Sequence, residues 1–331
     1  MSLRILVTTV PFGQVDDAPL RALRAAGVHF AVNPLGRKLK PDEAAELIRD
    51  FDVVIAGTEP ITEDVLANAP RLRFISRVGV GLDSVDLLAA RRRNVLVSYT
   101  PEAPAPAVAE LTIGLMLNLL RNITPADRQL RNGTWERLFG RRLSQRTVGI
   151  IGMGRIGSRV IRMLRCFDAR VLVHDIALDT RLALDLGAQP ASFEQILSDC
   201  DVVSVHVPLM RTTRNMIDRA EFDRMQRDAV LVNTARGGVV NEEALLLALR
   251  AGRIAGAAVD VFEEEPYAGP LVSETRCLLT PHMGSMSVDC RARMELEATQ
   301  EAIRFVLNQP LTQMVPESEY ALRTEENGAV E

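Results

Sequence analysis

Apolar and polar positions alternate in two different periods along the first hundred residues. Short apolar runs bounded by turn residues predict strands, and they cover residues 3–8, 52–56, 72–76 and 95–98. Amphipathic segments predict helices over 18–26, 62–68 and 83–91, the second with Thr62 as its N-cap. Because strands that alternate with helices form parallel sheets covered on both faces, these residues are predicted to form an α/β unit of their own.

A second alternating series begins after a proline-rich stretch. Pro101, Pro104 and Pro106 interrupt regular structure and predict a connector. A dense apolar segment over 108–120 then predicts a well-buried helix. Six strands are predicted beyond it, at 148–151, 171–174, 202–205, 230–233, 256–261 and 277–280. Six strands with intervening helices are typical of a dinucleotide-binding domain.

The C-terminal part is predicted to contain one long helix and a polar tail. The helix covers residues 288–308. Its apolar face has helical spacing and consists of Ala292, Leu296, Thr299, Ile303 and Val306. A helix with one apolar face must pack on another element. The chain is polar and acidic after Pro310, so residues 316–331 are predicted to be a poorly ordered tail.

Length and composition narrow the class of protein. The chain has 331 residues, of which 47% are hydrophobic, so two globular domains are expected. A formal net charge of −4 provides no electrostatic reason to expect nucleic acid or an anionic membrane as a partner. No segment resembles a signal peptide or a membrane span.

The cysteines and histidines bear on location and on metal binding. The four cysteines have no C-x-x-C spacing, which favours reduced thiols in a cytoplasmic protein. The four histidines show no ligand spacing, so no metal site is expected.

The stretch "VGIIGMGRIG" carries a G-x-G-x-x-G pattern at Gly152, Gly154 and Gly157. A predicted strand precedes it and a predicted helix follows, which is the context of a dinucleotide-binding loop. Asp175 ends the next strand in "VLVHD", about 20 residues on, as the motif requires. An acid there accepts hydrogen bonds from a ribose diol and repels a 2′-phosphate, so NAD is favoured over NADP. The alternative is a glycine turn beside an ordinary loop aspartate.

Polar residues follow three later strands. Arg236 lies in "LVNTARGG", Asp260 and Glu265 lie in "AAVDVFEEEP", and His282 lies in "CLLTPHMGS". Since ligands bind at the carboxyl ends of parallel strands, these groups are predicted to meet at one sheet edge. There a histidine transfers the hydroxyl proton, a carboxylate raises its pKa, and an arginine binds a carboxylate. Each residue alone is also compatible with a surface or structural role.

Seven motifs in order carry a resemblance to a known family. They are "SRVGVGLDSVDL", "PAPAVAELTIGLMLNLLR", "GIIGMGRIG", "HVPL", "VNTARGGVVNEEAL", "VDVFEEEP" and "TPHMGS". The chain resembles the D-2-hydroxyacid dehydrogenases, the group that contains 3-phosphoglycerate dehydrogenase and the glyoxylate/hydroxypyruvate reductases. The resemblance implies an NAD-dependent oxidoreductase that transfers a hydride between nicotinamide and C2 of a small 2-hydroxy or 2-keto acid.

The resemblance also implies an architecture. Two α/β domains, Rossmann-like and flavodoxin-like, are expected, with the NAD-binding domain inserted into a split substrate domain. The substrate domain is expected to comprise residues 1–100 and 285–315, and the NAD-binding domain residues 101–284. A homodimer through the NAD-binding domain is expected, involving the 108–120 helix and the segment around Trp135.

Site residues follow from the resemblance position by position. Arg236, Glu265 and His282 are implied as the catalytic residues. The implied cofactor-binding residues are Gly152, Gly154, Arg155, Ile156, Gly157, Asp175, His206, Val207, Pro208, Thr213, Thr234, Ala235, Asp260 and Gly284. Val80 and Gly81 are implied to bind the substrate, together with Arg236 and His282.

Two questions stay open at the level of sequence. Phosphoglycerate dehydrogenases commonly carry a phosphate-binding arginine after the third N-terminal strand, where this chain has Ala56, with Thr58 and Glu59 in the loop. Arg77 is the alternative cation for a substrate phosphate. Phosphoglycerate, hydroxypyruvate and glyoxylate therefore all remain candidate substrates. The fold also serves in NAD(H)-sensing corepressors, which belong to a different class because they bind without turnover.

Overall fold

The computed structural model describes residues 3–328. Residues 1–2 of the predicted first domain and residues 329–331 of the predicted tail lie outside this range. The described residues divide into two compact units. One contains the chain up to Pro104 and again from Met286 onward, and the other is Ala105–Ser285.

Residues 3–328 form twelve strands and thirteen α-helices. The strands are β1 (Arg4–Val7), β2 (His29–Val32), β3 (Val53–Ala56), β4 (Phe74–Arg77), β5 (Leu96–Ser98), β6 (Thr147–Ile151), β7 (Arg170–His174), β8 (Ala188–Pro190), β9 (Val202–Val205), β10 (Val230–Asn233), β11 (Gly256–Val259) and β12 (Cys277–Leu279). The helices are α1 (Ala18–Ala25), α2 (Pro41–Ile48), α3 (Glu63–Ala67), α4 (Leu87–Arg92), α5 (Pro104–Arg121), α6 (Ile123–Arg131), α7 (Arg155–Leu164), α8 (Thr180–Asp185), α9 (Phe193–Asp199), α10 (Arg219–Arg224), α11 (Glu242–Arg250), α12 (Val288–Val306) and α13 (Glu317–Gly328).

The first unit is built on a five-stranded parallel sheet of order β2-β1-β3-β4-β5. This is the flavodoxin-like order, in which ligands bind beyond the carboxyl ends of the strands. The strands β1, β3, β4 and β5 were predicted, whereas β2 and α2 were missed. β2 is an edge strand whose four side chains are exposed or half-buried, so it has no alternating pattern to detect.

The second unit is built on a seven-stranded parallel sheet of order β12-β11-β10-β9-β6-β7-β8. Read from β8, the order is that of a dinucleotide-binding sheet with one strand added at the far edge. All six predicted strands are present, and the unpredicted strand is the short edge strand β8. The α/β fold class predicted from the sequence is confirmed.

The proline-rich connector was predicted too long. α5 begins at Pro104, four residues before the predicted helix, and includes Pro106 in its first turn. Proline is tolerated there because the first N–H groups of a helix have no intrahelical acceptor in any case. The prediction that these prolines exclude helix was therefore wrong for residues 104–107.

The apolar face predicted for α12 is displaced from the side of the helix that is most buried. Of its five residues Thr299 is buried and the other four are half-buried. The buried side instead includes the charged residues Arg291, Glu295 and Glu301. Arg291 donates from Nε to Glu295 Oε1 at 2.6 Å, and Gly13 N donates to Glu295 Oε2 at 2.8 Å. Because these charges are paired, burial is tolerated at positions that a hydrophobicity pattern assigns to solvent.

The predicted disordered tail is replaced by α13 over residues 317–328. Tyr320 is buried against the core, and the Arg91 guanidinium lies 3.7 Å from the centre of its ring. Arg91 also pairs with Glu317 at 2.7 Å. Upstream, Val315 N donates to Val97 O at 3.0 Å, so the chain covers the free edge of β5 before the helix starts. The acidic composition concealed these few anchoring residues.

The described residues offer neither a membrane-spanning helix nor a cluster of metal ligands. No helix between residues 3 and 328 is long and apolar enough to cross a bilayer. Over the same stretch of chain, no group of three or more His, Cys, Asp or Glu side chains is placed to hold a metal ion.

Candidate active site

The glycine-rich loop connects β6 to α7 and is shaped by close backbone contacts. A Cβ at Gly152 would lie 2.7 Å from His206 O, and one at Gly157 would lie 2.0 Å from Gly152 O. Gly154 is the N-cap of α7, and a Cβ there would meet nothing within 4 Å. The open space at Gly154 lies at a helix N-terminus, where free N–H groups favour an anion. The loop therefore fits the pyrophosphate of a dinucleotide, with Arg155 and Ile156 as the next residues of α7.

Asp175 follows β7, next to the glycine loop. Its Oδ2 accepts from Met153 N at 2.7 Å, and its Oδ1 accepts from Ala177 N at 2.9 Å. These bonds hold the carboxylate in place and leave each oxygen one further lone pair. Such a carboxylate can accept hydrogen bonds from the hydroxyls of a ribose.

The loop after β9 contains Val207, Pro208 and Thr213. A Cβ at Gly152 would lie 2.9 Å from Val207 Cγ1, so this loop is adjacent to the glycine loop. Thr213 Oγ1 donates to Pro208 O at 2.6 Å and accepts from Met210 N at 2.8 Å. The Thr213 hydroxyl thus forms its hydrogen bonds within the turn over residues 208–213. Its predicted contact with the cofactor stays a prediction.

His206 is a neutral histidine at the end of β9. Its Nε2 lies 2.9 Å from Ser204 Oγ, while its Nδ1 is buried and has no hydrogen-bond partner within residues 3–328. Burial lowers the pKa of the ring to about 4. The ring is therefore uncharged near neutral pH.

We expect His206 to make folding pH-dependent. An unfolded histidine has a pKa near 6.5, so below that pH the unfolded chain binds a proton that the folded chain does not. Its stabilising contribution is complete above pH 6.5 and is lost as the pH falls towards 4, by about 2 kcal/mol between pH 7.5 and 5. Urea unfolding at both pH values should show this loss reduced in His206→Asn. An equal loss in both proteins would contradict the expectation.

The residues after β10 are clamped by side chains that the sequence analysis did not single out. Asn233 Nδ2 donates to Arg236 O at 3.1 Å, and Asn233 Oδ1 accepts from Ala235 N at 3.1 Å. Thr112, on α5, lies 2.8 Å from Thr234 through their hydroxyl oxygens. An asparagine placed just before a turn was the available signal, because its amide readily bonds the backbone of the next residues.

The loops after β10 and β11 are in close contact. A Cβ at Gly237 would lie 2.0 Å from the carbonyl carbon of Phe262, so only glycine fits there. Phe262 N donates to Glu265 Oε1 at 3.1 Å. Arg236 and Glu265 therefore belong to two loops that pack directly on each other.

His282 and Glu265 form the closest pair of predicted catalytic residues. His282 Nδ1 lies 2.9 Å from both carboxylate oxygens of Glu265. The side chains are 35% and 26% exposed, which leaves the pair accessible to a ligand. Since Nδ1–H donates to the carboxylate, Nε2 is the ring nitrogen available for proton exchange.

Asp260 supports the turn that carries His282. Its carboxylate accepts from Thr280 Oγ1 at 2.5 Å and from the N–H groups of Met283 and Gly284, each at 2.9 Å. His282 N donates to Asp260 O at 2.8 Å. Burial raises the pKa of the Asp260 carboxyl, against the effect of these hydrogen bonds. Asp260 and Gly284 were predicted to bind the cofactor, and that contact stays a prediction.

The predicted residues are divided between the two units. All of the predicted catalytic and cofactor-binding residues lie in Ala105–Ser285, at or beyond the carboxyl ends of its strands. Val80 and Gly81, predicted to bind substrate, lie in the other unit just after β4, where both are half-buried.

Comparison with known proteins identifies the family. Residues 113–284 match the model of the D-isomer specific 2-hydroxyacid dehydrogenase NAD-binding domain. A glyoxylate reductase of Korarchaeum cryptofilum is 35% identical over 300 residues, which cover 87% of this chain and 90% of the relative. A D-3-phosphoglycerate dehydrogenase of Methanocaldococcus jannaschii is 38% identical over 259 residues, 76% of this chain but only 49% of the relative.

A solved structure agrees over almost the whole chain. The D-lactate dehydrogenase of Aquifex aeolicus, in complex with NAD and lactic acid, superposes with a TM-score of 0.84 at 25% identity. The match covers 94% of this chain and 98% of that one. The chain therefore belongs to the D-isomer specific 2-hydroxyacid dehydrogenases, a family of NAD-dependent oxidoreductases.

Proposed function

We propose that the protein reduces a small, unphosphorylated 2-keto acid with NADH, using Arg236, Glu265 and His282 as its catalytic residues. Membership of the family makes NAD the cofactor. The observation that carries the proposal is the pairing of His282 Nδ1 with both oxygens of Glu265 at 2.9 Å. An accessible imidazole held by a carboxylate is the group that proton transfer to a keto oxygen requires.

His282 acts as the general acid in this proposal. Glu265 accepts the Nδ1 hydrogen and stabilises the imidazolium form. Nε2–H then donates to the keto oxygen as C2 is reduced, and takes the hydroxyl proton back when the reaction runs in reverse. Bound NADH supplies the hydride that C2 accepts.

Arg236 orients the substrate. A guanidinium presents a planar fork of donors that matches a carboxylate, and it keeps its charge at every working pH. Asn233 Nδ2 donates to the backbone carbonyl oxygen of Arg236 at 3.1 Å and so holds the backbone of Arg236. The base of the arginine side chain is therefore fixed while its fork contacts the 2-keto acid.

The loop after β3 supports the choice of an unphosphorylated substrate. Where an arginine would stand, the last residue of β3 is the fully buried Ala56, and the loop itself carries the buried carboxylate of Glu59. Gly57 N lies 2.9 and 3.0 Å from the two oxygens of Glu59, and Thr8 Oγ1 also donates to this carboxylate. A fixed negative charge disfavours a phosphate nearby. Glyoxylate and hydroxypyruvate fit this constraint.

Phosphohydroxypyruvate is the second candidate. The 38% identity to a D-3-phosphoglycerate dehydrogenase favours it. The chain spans about half the length of that relative, whereas it spans 90% of the glyoxylate reductase. We therefore place the unphosphorylated acids first.

The test is a comparison of keto acids with purified protein. NADH oxidation would be followed with glyoxylate, hydroxypyruvate, phosphohydroxypyruvate, pyruvate and 2-oxoglutarate. The proposal expects the highest kcat/KM for glyoxylate or hydroxypyruvate. A preference for phosphohydroxypyruvate would overturn the substrate class but not the reaction. Tight NADH binding without turnover of any acid would favour a sensor of NAD(H).

Asp175 is proposed to select NAD over NADP. We expect Asp175→Ser to lower the preference for NADH by about 10–100-fold, because it removes a charge that repels the 2′-phosphate and accepts from the ribose diol. The measurement is kcat/KM with each cofactor at a saturating concentration of keto acid. Asp179→Ser is the control, since Asp179 only caps α8. An unchanged ratio of NADH to NADPH would contradict this role.

We further propose a homodimer through the NAD-binding unit. The support is a set of exposed apolar side chains on and after α6, which a second copy would cover. They are Ile123 at 53% exposure, Leu130 at 56%, Trp135 at 79% and Phe139 at 99%. Analytical ultracentrifugation should give twice the mass of the chain, and a lower association constant for Trp135→Ala.

The cysteines support a cytoplasmic location in this proposal. All four are free, and Cys200, Cys277 and Cys290 are buried. Burial raises the pKa of the Cys200 and Cys277 thiols to about 12, so they stay protonated and unreactive.

A further inference from the structure

The turn that follows β4, residues 78–81, is held by two buried side chains that the proposed function does not use. Arg77 is the last residue of β4 and is 4% exposed, and Thr100 is fully buried. The family resemblance implies that Val80 and Gly81 of this turn bind the substrate, and the inference rests on the proposed reduction of a 2-keto acid.

Thr100 binds the turn on both sides of Gly79. Its Oγ1 accepts from Gly79 N at 2.7 Å, and its backbone N donates to Gly79 O at 3.1 Å. Gly79 has a φ of +131°, a conformation that side chains of other residues rarely permit. Thr100 therefore fixes a backbone geometry that the chain would otherwise leave readily.

Arg77 supports the turn from the other side. Its Nη1 donates to Val78 O and would lie 3.0 Å from a Cβ at Gly79. Val78 N donates to Ala56 O, on β3, at 2.8 Å. The arginine thus fills the space beside the turn, binds its first carbonyl oxygen and brings a positive charge close to it.

The next two N–H groups remain available for a ligand. Val80 and Gly81 are half-buried, and within residues 3–328 neither amide donates a hydrogen bond. Successive free N–H groups in a turn form a concave site for an anion. The carbonyl oxygens of Val78 and Gly79, which would repel an anion, already accept from Arg77 and Thr100.

We propose that Thr100 and Arg77 are positioning residues for substrate binding. They hold the turn so that the amides of Val80 and Gly81 meet the carboxylate of a 2-keto acid. Thr100 acts through the Gly79 peptide and Arg77 through the Val78 carbonyl. Neither side chain needs to touch the substrate to have this effect.

The test compares Thr100→Val with Thr100→Ser. Valine keeps the volume but leaves Gly79 N without its buried acceptor, whereas serine keeps the hydroxyl. We expect Thr100→Val to raise KM for the keto acid about tenfold, the ratio expected for one buried unpaired donor. Arg77→Lys keeps the charge but loses the planar guanidinium group, and it is also expected to raise KM for the keto acid. Thr100→Ser should stay within about twofold of the wild type, by the same reasoning.

Two measurements separate positioning from general damage. The Kd of NADH, from its fluorescence, should be unchanged in Thr100→Val. The Kd of oxalate for the enzyme–NADH complex should rise in parallel with KM. The matched control is Thr299→Val in the same unit, because Thr299 is buried and its hydroxyl has no hydrogen-bond partner within the described residues. This control is expected to leave both constants unchanged.

Three results would overturn the positioning role. They are a KM within twofold of the wild type in Thr100→Val, equal effects of valine and serine, and an NADH Kd that rises as much as KM. If the wild type reduces keto acids in these cases, the proposed function stands without the positioning residues. A wild type that neither reduces a keto acid nor binds oxalate would overturn both proposals.

Discussion

Replacing His282 with asparagine is expected to lower kcat for keto-acid reduction by about 10²–10⁴-fold, the usual contribution of a general acid. Asparagine keeps a hydrogen-bond donor near Glu265 but cannot release a proton to the keto oxygen. The Kd of NADH should change little, because the ring is assigned to proton transfer and not to cofactor binding. Steady-state rates and NADH fluorescence titration measure the two effects separately.

Removing the partner of the ring provides an independent readout of the same role. Glu265→Gln should lower kcat for keto-acid reduction by less than His282→Asn, because it removes the carboxylate that holds Nδ1 but leaves the proton donor in place. The control is His29→Asn, since His29 is exposed on the edge strand β2. A His282→Asn variant with wild-type kcat would exclude His282 as the proton donor.

The loops that carry chemistry could be predicted because their constraints are local. Gly157 is required by a contact with Gly152 O in the same motif, whereas the contact of Gly152 with His206 O comes from the loop after β9 and only the spacing of the motif indicates it. The positions of Asp175 and His282 could be predicted because an apolar run shows where the preceding strand ends. Local patterns of this kind are legible in one sequence.

Features that depend on distant partners could not be predicted in this way. The buried side of α12 holds Arg291 and Glu295, which are acceptable there only because they pair with each other and with the chain near Gly13. α13 is anchored by Tyr320 against Arg91, more than 200 residues earlier. Nothing near these residues in the sequence indicates such contacts, so neither the buried charges of α12 nor the helix α13 could be predicted from the hydrophobic pattern.

The same limit applies to the support of the candidate site. The motif residues Arg236 and His282 were found, but Asn233 was missed, and Asp260 was assigned to the cofactor and not to the turn that it holds. Asn233 and Asp260 act through hydrogen bonds to the turns, and the fold of the whole unit decides which N–H or carbonyl group each one contacts. Sequence motifs thus identify reactive side chains more readily than they identify the residues that hold those side chains in position.

Replacing Arg236 with glutamine is expected to lower kcat/KM for the keto acid by about 10²–10³-fold, since a charged, bidentate contact with the substrate carboxylate is lost. Most of the loss should appear in KM, because the carboxylate is bound in the ground state and in the transition state alike. Arg236→Lys should recover the charge but not the fork, and so should fall between glutamine and the wild type. Steady-state kinetics with glyoxylate and hydroxypyruvate measure all three proteins.

The matched control for Arg236 is Arg253→Gln. Arg253 forms an exposed ion pair with Asp223 at 3.1 Å, and such pairs contribute little to stability. If Arg236→Gln raised the Kd of NADH and the KM of the keto acid equally, the arginine would stabilise the unit Ala105–Ser285 in general and would not bind the substrate specifically. If lysine and glutamine were equivalent, no charged contact with the carboxylate would exist. The proposal expects KM to rise without a change in the Kd of NADH, and to rise more in Arg236→Gln than in Arg236→Lys. That result would show that Arg236 binds the substrate carboxylate, because only a direct charged contact distinguishes lysine from glutamine.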